Sequence, residues 1–208
     1  MPSNGATVRR ELIRLAMRRQ RAGSGSMLSF LLERTCETMW PDVSIILEGT
    51  QWAVVGAVAT RLYMPERATL DLDVAVLATD NAGVRRRLAE AGWQFSGELS
   101  IGGSTWTSSD GSVVDVLELT QPWAAEALEQ AARNRDGQGL PVLPLPYLVL
   151  MKFDASRVQD IADITRMLGL ASQSDLEAVR RLFARRSAED QADLEALIQL
   201  GKLETGTA

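Results

Sequence analysis

The 208 residues carry 22 Lys and Arg against 27 Asp and Glu, a net charge of −5, with 46% hydrophobic and 24% charged residues. That balance is ordinary for a globular chain with a core, and it opposes docking on nucleic acid through a broad positive field. Histidine is absent and cysteine occurs once, at Cys36, which excludes histidine-activated nucleophiles, histidine metal ligands, cysteine zinc clusters and internal disulfides. Any catalysis must therefore rest on carboxylates, lysine, arginine, hydroxyls and a hard metal. No apolar run reaches the length of a membrane span, and Met1–Arg21 lacks an apolar signal core. A cytoplasmic protein that does not engage membrane is expected.

Thr7–Arg21 places Val8, Leu12, Leu15 and Ala16 at helical spacing, and six arginines opposed by Glu11 alone cover the rest. This basic helix reads as a solvated face or as an arm that contacts phosphate or a partner. Ala22–Ser26 is a flexible break. Met27–Met39 reads as an amphipathic helix with Leu28, Leu31, Leu32 and Cys36 on one side, closed by Pro41; Cys36 is a small hydrophobe there. Val43–Thr50 fits a short helix or a strand.

The stretch that organises the chain is Trp52–Leu77. An apolar run, Trp52–Val55, meets Gly56 and gives way to a helix-like stretch, Ala57–Tyr63. A linker with Pro65 and Arg67 follows, then a second apolar run that opens with Asp71 and Asp73. Strand residues alternate faces, so Asp71 and Asp73 point to one side, roughly 6–7 Å apart. Leu70, Leu72, Val74 and Val76 take the other. Beyond Asp73 the run is apolar on both faces, the pattern of a central, covered strand. Two like charges at its mouth repel and lose hydration, which calls for a compensating positive charge, most simply a divalent cation.

Thr79 and Asp80 can cap a helix from Asn81 to Ala91, with Gly92 at its C-terminal end and Arg85–Arg87 as its solvent face. Trp93–Ile101 is extended. Thr105–Ser108 and Val113–Leu119 flank an Asp-Gly turn at Ser109–Ser112, a hairpin signal. Asp115 shares a strand face with Val113, Leu117 and Leu119, where a buried carboxylate needs a partner. If this strand lies beside Leu70–Leu77, Asp115 completes a three-carboxylate cluster. Pro122 opens a helix to about Arg133, Asn134–Gly139 is a polar loop, and three prolines in Pro141–Pro146 mark a boundary. Helices follow at Leu145–Ala155, at Arg157–Leu168 with Gly169 as its stop, from the capping box Ser174–Glu177 to about Arg186, and from Ser187 to about Leu203. The five tryptophans read as core, with Trp106 on the hairpin leading to Asp115.

Strand, glycine turn, helix, strand with Asp-x-Asp, and a later strand with a single Asp fit metal-dependent nucleotidyl transfer. Three carboxylates can hold two Mg²⁺ ions about 3.5–4 Å apart, which clamp the attacking and leaving oxygens. Gly56 admits a phosphate to the backbone, and the N-terminus of the following helix favours its charge. Arg67 and Lys152 can neutralise the phosphates where charge develops. Asp115 suits a base or a metal ligand near the attacking hydroxyl.

These residues carry a resemblance. VVGAVATRLYMPERATLDLDVAV resembles the signature of the polymerase-β-type nucleotidyltransferase superfamily, and is closest to its AbiEii-like, abortive-infection toxin branch. Gly56, Ala59, Arg67, Thr69, Asp71 and Asp73 match that signature, and Asp115 in GSVVDVLEL resembles the family's third carboxylate. LPYLVLMKFDASRVQDIADITRML is similar to a later family helix pair, with Lys152, Asp160 and Asp163 in a Lys-x7-Asp-x2-Asp pattern. The similarity spans about residues 50–170. Ala57 departs from it, adding a methyl where the family has a second glycine.

The resemblance implies an enzyme that moves an NMP from an NTP to a macromolecular acceptor, tRNA or protein, under the control of an antitoxin. Asp71, Asp73 and Asp115 would bind metal; Gly56, Ala57, Arg67, Thr69, Lys152 and Asp160 would bind nucleotide, Lys152 also serving catalysis. Without it, Lys152 reads as a surface lysine, and Asp160 and Asp163 as exposed acids or partners of Arg157 and Arg166. Two alternatives stand beside the toxin: a non-catalytic binding module of the same fold, and a small-molecule, antibiotic-modifying nucleotidyltransferase. The expected fold is α/β, a small mixed sheet with packed helices followed by a helical region. The boundaries are 1–25 for the basic arm, 26–140 for the core and 141–208 for the C-terminal helices.

Overall fold

Five strands form one mixed sheet: Trp52–Val54 (β1), Leu72–Leu77 (β2), Gln94–Glu98 (β3), Gly103–Thr107 (β4) and Val113–Leu119 (β5), in the order β1-β2-β5-β4-β3. The computed structural model describes residues 4–19, 39–65 and 69–206. The helix expected over Met27–Met39 falls, but for Met39, outside them, as do Cys36 and Arg67. The α-helices among the described residues are Asn4–Arg19 (α1), Asn81–Glu90 (α2), Ala124–Ala131 (α3), Leu145–Ala155 (α4), Val158–Leu170 (α5), Gln173–Phe183 (α6) and Ala188–Thr205 (α7). This is the α/β class that the alternation of patterns implies. No helix among the described residues is long and apolar enough to cross a membrane.

The chain divides into two units. The first comprises Cys36–Leu62 and Glu66–Pro144 and holds the sheet. β2 and β5 pair in parallel, which requires a crossover, and α2, β3 and β4 supply it; the other neighbours pair antiparallel. Alternation places Leu72, Val74 and Val76 of β2 with Val114 and Val116 of β5 on one buried face. Trp106 and Ser104 of β4 extend that face, the indole N–H donating to the Ser104 hydroxyl (2.9 Å), and Trp106 meets Phe95 edge-on. Trp106 is thus a core residue, as its type suggested.

Three local expectations are corrected in this unit. Val43–Thr50 is neither helix nor strand but a series of hydrogen-bonded turns that buries Val43 and Leu47. Leu70 lies before β2 and is 95% exposed, so it does not join Leu72 on the covered face. Of the arginine run on α2, only Arg86 faces solvent. Arg85 grips Glu98 in a two-pronged pair (2.6 Å each) and lies over Phe95, while Arg87 donates to the Glu48 carbonyl and to Thr50. Arg85 holds the Glu98 carboxyl below the usual carboxylate range.

The second unit comprises Met1–Thr35, Tyr63–Pro65 and Leu145–Ala208. Its central helix, α4, buries Leu145, Tyr147, Leu148, Val149, Leu150, Lys152 and Phe153, more than one face of a helix. α1 reverses its expected orientation. Its interior residues are Arg9, 3% exposed, and Ile13, whereas Val8 and Leu15 of the apolar stripe are exposed. Arg9 reaches Asp190 (2.6 Å) and Asp193 (3.1 Å) of α7, donates to Ser156 (3.0 Å) and to the Phe153 carbonyl (3.1 Å), and stacks on the Phe153 ring. It belongs neither to a solvated face nor to a phosphate-seeking arm, because four acceptors and a ring outweigh what a leucine could gain there.

Gly169 does not stop α5, which runs through Leu170. It permits a close helix crossing instead: a Cβ on Gly169 would stand 2.4 Å from the Gly201 carbonyl oxygen, and one on Gly201 would stand 2.1 Å from that of Thr165. The cap of α6 is Ser172 with Asp175, two residues before the expected box, and α6 ends at Phe183. Ser187 caps α7 as expected, and Gly206 closes it in the left-handed conformation.

Candidate active site

The site starts from a register. Asp73 of β2 stands directly opposite Asp115 of β5 in the parallel pair, and Asp115 stands opposite Thr105 of β4. Val55 continues the row on the far side of β2, its N–H donating to the Asp73 carbonyl at 2.9 Å. One line across the sheet thus reads Val55, Asp73, Asp115, Thr105. Asp71 precedes β2 by one residue and falls on the same side as Asp73. One oxygen from each of Asp71, Asp73 and Asp115 can be chosen so that all three lie within 4.8 Å of one another. All three residues are half-buried.

Two carboxylates directly opposite each other on neighbouring strands repel and destabilise the sheet. Two of the three carboxylates are held by hydroxyls. The Thr69 hydroxyl donates to Asp71 Oδ1 at 2.7 Å, and the Thr105 hydroxyl donates to Asp115 Oδ1 at 2.6 Å. Gly56 packs against the third carboxylate: a Cβ there would stand 1.8 Å from Asp73 Oδ2, and the residue already has a φ of +64°. Any side chain at position 56 would displace Asp73 and strain the backbone. The donor set is three hard oxygen anions, which is the set that Mg²⁺ or Mn²⁺ takes.

The other expected site residues are placed as follows. The stretch after Gly56 is a five-residue 3₁₀ helix, Val58–Leu62, too short to supply the helix N-terminus anticipated for a phosphate. Ala57 is 4% exposed, so the methyl that departs from the family pattern is enclosed by protein. Asp115 has Val113 and Leu117 as half-buried neighbours rather than the fully buried ones expected. Arg67 lies outside the described residues.

Lys152, Asp160 and Asp163 belong to the helical unit, and the structure removes their reading as exposed surface groups. They are 5%, 1% and 0% exposed. The Lys152 ammonium donates to Asp163 at 2.8 Å and lies 3.6 Å from Asp160. Arg157 completes the group with a fork onto Asp160 (2.7 and 3.2 Å), and Gln159 donates to Asp163 (3.3 Å). Arg166 pairs with Glu204, not with either acid.

Sequence reading missed Thr105. The signal was present, because a hairpin closed at Ser108 and Ser112 sets Thr105 opposite Asp115 by counting.

No family model and no curated protein matches this chain. Among solved structures it is similar to the antibiotic-resistance factor ANT(2'')-Ia in solution, with a TM-score of 0.41 at 16% identity, covering 72% of this chain and 82% of that one. The crystal structure of ANT(2'')-Ia with adenylyl-2''-tobramycin gives 0.40 at 16%, covering 72% and 87%. Terminal uridylyl transferase 4 from Trypanosoma brucei with bound GTP gives 0.28 at 14%, covering 88% of this chain and 58% of that one. Each is a distant likeness.

Proposed function

We propose that this chain is a nucleotidyltransferase that moves an NMP from an NTP to an acceptor hydroxyl, with Asp71, Asp73 and Asp115 holding magnesium. The observation that carries the reading is the convergence of these three carboxylates from two parallel strands. Bound magnesium would screen the triphosphate and stabilise charge on the attacking and leaving oxygens. The chain's own residues do the rest. Gly56 keeps the space over Asp73 clear, and Thr69 and Thr105 fix two of the three carboxylates. Asp115 orients the acceptor hydroxyl, whose oxygen bonds to the α-phosphorus as the link to pyrophosphate breaks and the hydroxyl proton passes to solvent. Arg67 meets the phosphates. Lys152 bonds to Asp163 within the helical unit.

We propose further that the acceptor is a macromolecule, tRNA or protein, and that the protein acts as a toxin restrained by an antitoxin; this rests on the AbiEii-like signature. A second reading, a small cationic acceptor such as an aminoglycoside, is favoured by a separate observation. Residues 36–144 contain no lysine, acids outnumber arginines there, and Arg61, Arg85 and Arg87 are already engaged.

The test is incubation with each radiolabelled NTP, Mg²⁺ and either total RNA, total protein or a panel of aminoglycosides. Label should pass to one acceptor class and be lost in Asp71→Asn. Absence of transfer by the wild type, or equal transfer by the variant, defeats the reading. Growth arrest on induced expression, relieved by Asp71→Asn, tests the toxin role separately.

A further inference from the structure

We infer that Thr105 is a positioning residue for the carboxylate centre: its hydroxyl fixes which way Asp115 presents its oxygens and thereby sets the affinity of the centre for a divalent ion. The inference rests on the proposed metal-binding reading and adds a residue to it.

The geometry is specific. A carboxylate can only accept, so at 2.6 Å the Thr105 Oγ–H must donate to Asp115 Oδ1. Hydrogen bonds to an ionised acceptor are the short, strong kind. Asp115 is not near a loop end where its rotamer could be set by chance. It is the third residue of seven in β5, with β2 paired on one side and β4 on the other. Thr105 is its direct cross-strand neighbour on β4, so the bond runs along the sheet and its direction is set by the backbone register. Thr105 is also β-branched, with few χ1 options, so its hydroxyl is itself held.

The consequence follows from charge. Asp73 stands opposite Asp115 in the parallel pair, so an unrestrained Asp115 side chain would turn away from Asp73 to relieve repulsion. A cation at the centre needs the opposite, both carboxylates turned to a common point. Thr105 approaches from the β4 side, across from Asp73, so its bond ties Oδ1 to that side, leaves Oδ2 for the common point and holds the carboxylate in one orientation before the ion arrives, which lowers the reorganisation needed for binding. It adds no positive charge, so it does not compete with the ion as an arginine or lysine would.

The test uses the full chain and Mn²⁺ as the probe. Free Mn²⁺ is measured by its electron paramagnetic resonance signal in the wild type, Thr105→Val and Thr105→Ser, each first shown to melt cooperatively. Thr105→Val keeps the shape and removes the donor; Thr105→Ser keeps the donor. The expected result is an apparent Kd about tenfold weaker for Thr105→Val and within about threefold of wild type for Thr105→Ser. In an Asp115→Asn background, Thr105→Val should change the residual binding no further. Wild-type binding left unchanged by Thr105→Val, or lost equally in Val and Ser, overturns the role of Thr105 while leaving the metal site standing. Absence of Mn²⁺ binding by the wild type overturns the reading beneath it. Should Thr105→Val fail to fold, the Ser variant in the wild-type and Asp115→Asn backgrounds decides: a Ser penalty that persists without Asp115 overturns the inference.

Discussion

The helical unit and the carboxylate centre of the sheet unit treat acid in different ways, while the sheet unit's buried Asp136, met by Arg61, follows the helical pattern. Among the described residues of the helical unit the buried carboxylates are met by cations: Asp163 and Asp160 by Lys152 and Arg157, and Asp193, with half-buried Asp190 beside it, by Arg9. Those clusters are electrically closed, and their use is to hold helices together. In the sheet unit, Asp71 and Asp115 are met by neutral hydroxyls, and glycine makes room for Asp73. A hydroxyl fixes an anion without cancelling it, which on the proposed reading suits a carboxylate that is to take a divalent ion. On the proposed function the same residue type is structural in one place and chemical in the other, and its partners decide which.

The largest effect is expected where a closed cluster is opened. Lys152→Met removes the ammonium from buried Asp163, and breaking a buried pair costs about 3–5 kcal/mol, read as a lower urea midpoint. The centre responds differently to a comparable insult. Gly56→Ala pushes Asp73 aside, and a displacement on the order of 1 Å costs about 100-fold in activity, so label transfer should fall by that factor. Gly201→Ala, at the crossing of α5 and α7, should cost about 1–3 kcal/mol of stability. Asp115→Asn sharpens the contrast most. It removes repulsion, so in metal-free buffer it should raise stability by about 0.5 kcal/mol while abolishing transfer.

The smallest effect concerns Glu195, which Arg180 holds below the usual carboxylate range through hydrogen bonds of 2.7 and 2.8 Å. A depressed carboxylate contributes stability above its unfolded pKa and loses it as pH falls through the folded value. Glu195→Gln should therefore lower stability near neutral pH, by about 0.5 kcal/mol for an exposed pair, and the gap to wild type should close in acid.

The centre was legible in sequence because it is built from strands. A period of two puts Asp71 and Asp73 on one face, and an Asp-Gly turn supplies the register for Asp115. The same arithmetic would have yielded Thr105. Helical acids carry no such signal. Asp160 and Asp163 look like solvent-facing residues until Lys152, on another helix, is brought to them. The burial of Arg9 is hidden for the same reason: Val8, Leu12 and Leu15 make the better local stripe, and the acids that draw Arg9 inward lie about 180 positions away. Gly169 illustrates the remaining difficulty. Near a helix end it reads as a stop, and only the approach of Gly201 shows that its missing side chain serves a crossing.

Thermal melting of the full chain against Mg²⁺ tests the central claim most directly, comparing the wild type with Asp73→Asn. An ion bound only by the folded centre stabilises it by about 2.7 kcal/mol at 100 times its Kd. The wild-type midpoint should therefore climb with Mg²⁺ while that of Asp73→Asn stays level. A wild-type midpoint indifferent to Mg²⁺, or an equal climb in both, would contradict the claim that these three carboxylates form a metal centre.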